Sequence, residues 1–345
     1  MTLFKFQQRN KVGIKTKATQ LFSLLFAVAM VLTIVLNACS AKQDVTIKVG
    51  MNRWPGFDVA LYAQEAGLFE KRGLKVELVL FDVAQDAVRA MLQGDLDMTF
   101  ASLWELMQAD PGNDAPAYVM VTNISAGSDG IVAQPGIQSI KDLRGKKVGA
   151  KLGTVSHLIL LEALNLHQMQ PEDVQVEDVP NEIAEAELSA GRLAAAVLWE
   201  PSLSFAAKAT KGKIVFTTKE VDSLVLDGLA CQSAFLTSQQ DTLQQFLLAW
   251  FDLMHAIETN PNEVFEVVGE KLGQSSESFA KDYAGLKKGD IELNRRMFKP
   301  QGRLQEVSEQ IAQLLRNDPR HSRVIREDIE INAEPVMGAI STWKP

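Results

Sequence analysis

Apolar and polar residues alternate over Val45-Thr46-Ile47-Lys48-Val49, the two-residue period of a strand with one buried face. Asn52-Arg53-Trp54-Pro55-Gly56 breaks the alternation as a loop, and the spacing from Val59 to Lys71 becomes helical until Gly73 closes it. Val76-Glu77-Leu78-Val79-Leu80 reads as the next strand. Further strands are expected over 118–124, 130–133, 147–150, 174–177, 195–199 and 229–233, with helical stretches between most of them. Strands alternating with helices over this length predict an α/β chain built on parallel sheets. After Thr237 the pattern changes. Leu243 to Ile257 is strongly apolar at helical spacing, Pro261 opens another helix, and Leu304 to Leu315 gives a further one. No strand pattern is convincing there, so a helical C-terminal section is expected on a lobe already built.

One pattern occurs twice. Val76-x-Leu78, Ala87-Val88-x-Ala90-x-Leu92, Gly94-Asp95-Leu96 and Trp104-Glu105 are echoed by Val174-x-Val176, Ala184-x-Ala186-x-Leu188, Gly191-Arg192-Leu193 and Trp199-Glu200. Each run is a strand, an amphipathic helix, a glycine C-cap and a second strand ending in Trp-Glu, although the last spacing differs by two residues. The reading is one βαβ unit per lobe. A right-handed crossover then puts each Trp-Glu at the carboxyl end of its strand, the edge where ligands of open α/β sheets collect.

Charge and composition narrow the class. Lys5, Arg9, Lys11, Lys15 and Lys17 precede an unbroken apolar run from Leu21 to Leu36, followed by Asn37-Ala38-Cys39-Ser40. That order reads as a secretion leader over residues 1–38, and the run is short for a helix that needs about 20 residues to span a bilayer. Its removal takes five of the 35 Lys+Arg and none of the 43 Asp+Glu, leaving 30 against 43. A chain so acidic lacks the basic footprint that nucleic acid demands. Leu36-Asn37-Ala38-Cys39 resembles a bacterial lipobox, which implies lipid on Cys39 and a membrane tether over 39–44. Cys231 is then the one thiol left, so no internal disulfide is expected and stability must come from packing. The apolar content, 46%, suffices for that across two lobes.

Gly50-Met51-Asn52-Arg53-Trp54-Pro55-Gly56, Gly67-Leu68-Phe69, Gly94-Asp95-Leu96-Asp97, Ile140-Lys141-Asp142-Leu143-Arg144-Gly145-Lys146-Lys147-Val148-Gly149 and Trp199-Glu200-Pro201 carry a family likeness. Over residues 45–235 the chain resembles the nitrate-, sulfonate- and taurine-binding proteins of ATP-driven importers, a family that also includes binders of thiamine precursors. The resemblance implies a two-lobe α/β fold of the type II periplasmic-binding-protein kind, with a two-strand hinge and a helical C-terminal section. Residues 45–134 and 223–345 would form the first lobe and 135–222 the second, with crossings near Gly130–Pro135 and Asp222–Leu229. It also implies a small-molecule solute, permease and ATPase partners, a monomer, and a place in the periplasm or at the cell surface. A lipid-anchored sensor for the same solute is the alternative, and an exported enzyme on this scaffold a third reading.

Three groups of residues are candidates to hold a ligand. Asn52 and Trp54, in the loop after the first strand, offer a hydrogen-bonding amide and a flat apolar wall. Thr154, Ser156 and His157 open a helix whose unpaired N–H groups suit an anionic head group, though Thr154 or Ser156 serves equally as an ordinary N-cap. Ser102, Trp104 and Glu105, with Trp199 and Glu200, would end the two echoed units, so that two rings sandwich a ligand across the cleft. Two carboxylates there disfavour a bare anion such as nitrate and favour a zwitterion like taurine or a donor-rich pyrimidine. Asp129 and Asp227 sit at the expected hinges, where each either accepts from a ligand or ends a strand, and Ser125 is a weaker candidate of the same kind. The four histidines, His157, His167, His255 and His321, show no metal-ligand spacing. Neither a phosphate loop, a dinucleotide fingerprint nor a nucleophile elbow occurs, so no cofactor and no metal are expected.

Overall fold

The computed structural model describes residues 46–109, 115–300, 302–320 and 325–345. The expected leader, the Cys39 tether and His321 lie outside the described residues. One sheet holds Thr46–Met51 (β1), Lys75–Leu80 (β2), Met98–Ser102 (β3), Pro116–Ser125 (β4), Leu226–Gln232 (β10), Leu286–Lys288 (β11) and Glu330–Ile331 (β12). A second holds Asp129–Ala133 (β5), Lys147–Gly149 (β6), Gln175–Glu177 (β7), Ala195–Trp199 (β8) and Lys213–Thr217 (β9). The strand orders are β11-β4-β10-β3-β1-β2, with β12 beside β4, and β7-β6-β8-β5-β9.

The alternation read at the start of the chain is a half-buried strand: Ile47, Val49 and Met51 are buried while Lys48 is exposed. β1 pairs in parallel with β2 and β3, and β6 pairs in parallel with β7 and β8. Helices also join β2 to β3 and β7 to β8, the strands that flank β1 and β6. Ala84–Gln93 buries Ala87, Val88, Met91 and Leu92 on one face and stops at Gly94, whose φ of +85° lets the chain turn without a Cβ penalty. Asn181–Ser189 is its counterpart on the second sheet. Beyond β10 the helix Gln240–Thr259 packs Phe246 and Trp250 onto the first sheet's aromatic layer, with Phe100 and Trp250 rings 5.6 Å apart and Phe69 and Phe246 5.2 Å apart. Burying each such ring stabilises the lobe by about 1.5–3 kcal/mol.

Several expectations change. β10 runs antiparallel between β3 and β4, and β5 runs antiparallel between β8 and β9, so both sheets are mixed. The mixing arises where the chain leaves one sheet and enters the other, at 126–128 and at 218–225. β5 therefore belongs to the second sheet, and the first crossing precedes the Gly130–Pro135 expected. Periodicity marks a strand but not the sheet that it joins. The helix expected from Val59 to Lys71 is two short ones, Ala60–Glu65 and Leu68–Lys71, divided where Gly67 adopts φ +66°, and a further short helix, Pro55–Asp58, begins within the expected loop. The C-terminal section is mainly helical but adds β11 and β12, too short for periodicity to reveal. β9 was not expected from sequence either.

Candidate functional site

β1, β2 and β3 all end on one side of the first sheet, and β10, antiparallel to β3, begins there with Asp227 opposite Ser102. In the second sheet β8 ends at Trp199 directly opposite Asp129, the first residue of β5. These ends meet in a cleft of about 460 Å³ that opens to solvent. Asn52, Trp54, Glu105 and Asp227 line it from the first sheet, and Asp129, Thr154 and Trp199 from the second. It is a concave site at the carboxyl edge of parallel strands, where α/β folds hold small molecules.

Local packing fixes each wall. Trp54 is extended (φ −159°, ψ 129°) ahead of Pro55, which starts the helix Pro55–Asp58. Its indole N–H donates to Asn123 Oδ1 at 3.1 Å, so only its face is available to the cleft. Gly56 is required there, because a Cβ would overlap Asn123 Nδ2. Glu105 is held by a capping box: Ser102 N–H and Oγ–H both donate to Glu105 Oε2, at 2.9 and 2.8 Å, and Glu105 N–H donates back to Ser102 Oγ. Asp129 is 2% exposed and its Oδ2 has no hydrogen-bond partner, as is true of the buried Asn52 Oδ1. Buried polar atoms are normally paired, so unmet acceptors in a cleft point to a missing donor.

The electrostatics have one sign. Among the described residues no Lys, Arg or His lines the cleft. Burial raises the Glu105 carboxyl to about 7 against the opposing hydrogen bonds from Ser102. It raises Asp129 to about 7 as well, with Glu200 and Glu105 adding repulsion. Asp227 is pushed well above the usual range by burial first and then by Asp129 and Glu105. The cation Arg53 is turned away, half-exposed and 3.1 Å from Asp58. Among the described residues no three His, Cys, Asp or Glu side chains converge so as to hold a metal ion.

Six residues singled out from sequence do not line the cleft. Trp104 is fully buried within the helix Leu103–Met107, with its ring edge-on to His157 at 5.6 Å. The two-residue difference between the echoed units thus has a structural meaning: Trp199 ends a strand, whereas Trp104 lies inside a helical turn. The expected pair of rings, Trp104 with Trp199, is replaced by Trp54 with Trp199. Ser102 is spent on the capping box, and Ser125 bonds Thr218 Oγ1 at 2.7 Å beside the crossings. Ser156 is buried in its helix. His157 accepts from Gly153 N–H on Nδ1 and lies 3.0 Å from Asp318 through Nε2. Glu200 turns to Ser204, accepting from its N–H and its hydroxyl, and so caps the next helix. Thr154 reaches the cleft but its hydroxyl donates to Lys151 O at 2.8 Å, not to the helix it precedes.

Phe57, Asp82, Val83, Ala84, Val155 and Val225 also line the cleft and were not read from sequence. Asp82-Val83-Ala84 follows β2 as Asn52 to Trp54 follow β1, so the same strand-end rule applied to every strand would have found them. Val225 carries no such signal.

Two mixed α/β sheets joined by two crossings, with a cleft at their strand ends, make the fold of periplasmic binding proteins. The alkanesulfonate-binding protein SsuA from Xanthomonas axonopodis pv. citri, solved with MOPS bound, superposes with a TM-score of 0.68 at 15% identity, covering 85% of this chain and all of that one. The chain belongs to the NMT1-like family, whose model matches residues 40–268. A Brucella abortus protein named as a binding protein is 29% identical over 177 residues, 51% of this chain and 54% of that one. The chain thus spans about half the length of that relative. A Brachyspira hyodysenteriae protein, named as a periplasmic binding protein of an ABC transporter, is 24% identical across 66% of this chain and 69% of its own.

Proposed function

We propose that the protein is the extracytoplasmic solute-binding component of an ABC importer, closing its two lobes on a small molecule and presenting the loaded form to a permease and its ATPase. The observation that carries this reading is that Trp54, Glu105 and Asp227 from one sheet and Asp129, Thr154 and Trp199 from the other line a single cleft. A solute shifts an open-to-closed equilibrium only by its differential contacts with the closed state, and a ligand touching both lobes makes such contacts. The family membership and the names of the two relatives support the same class.

Residues 1–38 act as the leader and Cys39 carries the lipid in this reading, which places the protein in the periplasm or at the cell surface as a tethered monomer. The resemblance to sulfonate, taurine and nitrate binders supports a small solute. The carboxylates favour a taurine-like zwitterion or a donor-rich pyrimidine over bare nitrate. Binding rather than turnover is supported by the family membership and by relatives named as binding proteins.

Thermal shift of the purified chain against taurine, alkanesulfonates, nitrate and pyrimidines tests the proposal. A true solute at a hundredfold excess over Kd stabilises by about 2.7 kcal/mol. Trp199→Ala is expected to remove the shift. A shift that survives this substitution places the site elsewhere. Cys39→Ala is expected to release the protein from membranes or to leave its leader uncleaved, and unchanged fractionation at the mature size would contradict lipidation.

A further inference from the structure

We infer that the cleft selects a compact organic cation bearing N–H donors, an ammonium or amidinium head held by Glu105, Asp129 and Asp227 against Trp54 and Trp199, and that its charge is what permits the lobes to close. This deepens, and rests on, the solute-binding reading above.

Four observations carry it. Among the described residues the lining contains four carboxylates, counting the exposed Asp82 at the rim, and no basic side chain. Asp129 Oδ2 lies buried and without a donor, and so does Asn52 Oδ1. A ligand that fits must therefore bring donors, which a sulfonate or a nitrate does not have. The aromatic faces of Trp54 and Trp199 provide the apolar, electron-rich surfaces on which organic cations settle.

The fourth observation is topological. Asp129 stands on the second sheet, whereas Asp227 stands on the first and Glu105 in the helix Leu103–Met107 that follows β3. Glu200, beside Asp129, and Asp282 and Asp58, in helices of the first lobe, add to the same field, with only Arg53 opposing at Asp58. Once the carboxyls ionise, above about pH 7 for Glu105 and Asp129, this like charge across an empty seam works against closure. A cation between the lobes reverses the sign of the interaction, so charge itself separates loaded from empty protein. An anion would leave the seam more repulsive than before.

The test is calorimetric titration of the full chain with benzamidine, agmatine and cyclohexylamine, compared with benzamide, methanesulfonate and nitrate. At least one cation is expected to bind in the cleft. Benzamidine is expected to bind at least tenfold more tightly than benzamide, which has the same shape without the charge. Cation binding is expected to strengthen from pH 6 to pH 8, as the carboxyls ionise. Asp129→Asn and Asp227→Asn, each folded as judged by its melting curve, are expected to abolish the preference for benzamidine. Benzamide, methanesulfonate or nitrate binding as tightly as benzamidine overturns the inference, as does a panel in which no cation binds. Methanesulfonate binding that disappears in Trp199→Ala would overturn it while sustaining the solute-binding reading. No response to any probe counts against both.

Discussion

His157 Nε2 lies 3.0 Å from Asp318 Oδ2, with both side chains almost wholly buried, and so ties the second lobe's helix Val155–Leu166 to the end of the C-terminal helix Arg303–Asn317. Gln310 reaches the same helix, donating to Glu162 at 3.0 Å, and Gln108 donates to Gly153 O at 3.0 Å. The C-terminal section does more than cover the first lobe. It holds the second lobe against the first.

Burial raises the Asp318 carboxyl, but hydrogen bonds from His157 and Arg320 outweigh that and hold it at about 2. A lowered folded value stabilises the protein above the ordinary carboxyl range, and that contribution is lost as pH falls from about 4 through 2. Asp318→Asn is expected to flatten the fall in Tm over this acid window. His157→Ala is expected to cost about 1–3 kcal/mol at neutral pH, since it removes one partner of a buried carboxylate and leaves Arg320 as the other. Melting curves of both variants at several pH values check this, and a His157→Ala protein as stable as the parent would contradict the tie.

The cleft carboxyls have the opposite sign. Asp129 and Glu105 are raised to about 7, so the stability they contribute is present below pH 4 and drains away as pH rises through 7. Asp129→Asn removes that loss, because the amide never ionises. Its Tm is expected to exceed the parent's by several degrees at pH 8 and to match it near pH 4. A variant less stable than the parent at pH 8 would show that Asp129 has a structural partner.

Trp54 and Trp199 separate under substitution. Trp54 is 6% exposed and hydrogen-bonded to Asn123, so Trp54→Ala is expected to cost about 3–5 kcal/mol of stability as well as binding. Trp199 is half-buried at the cleft wall, so Trp199→Ala is expected to lose binding with little change in Tm. Paired melting and titration curves distinguish these outcomes.

Gly56 and Gly153 are both places where backbone needs the room of a missing side chain. A Cβ on Gly153, already at φ +82°, would overlap Gln85 Nε2, a residue of the first lobe. Gly153→Ala is therefore expected to cost about 1–3 kcal/mol and to weaken closure. Gly56→Ala is expected to break the Trp54–Asn123 bond and lower Tm. Unchanged melting in either variant would mean that the neighbour simply moves aside.

Much of this architecture is legible in the chain. The strand ranges at 76–80, 195–199 and 130–133 hold nearly to the residue, because alternation and turn chemistry are local. The antiparallel placing of β5 and β10 is not local and could not be read. Trp104 shows the same limit in the site. Ser102-Leu103-Trp104-Glu105 is a capping-box sequence, which turns Trp104 into a helical turn and the core, but the echo with Trp199-Glu200 masks that signal. His157 looked like a ligand group at a helix start, and its partner Asp318 is 161 positions away in sequence.

Small-angle scattering of the purified chain with and without a solute found by titration tests lobe closure most directly. The account expects the radius of gyration to fall when the solute saturates the parent protein and to stay unchanged in Trp199→Ala. A solute that binds tightly while leaving the parent's scattering curve unaltered would contradict it.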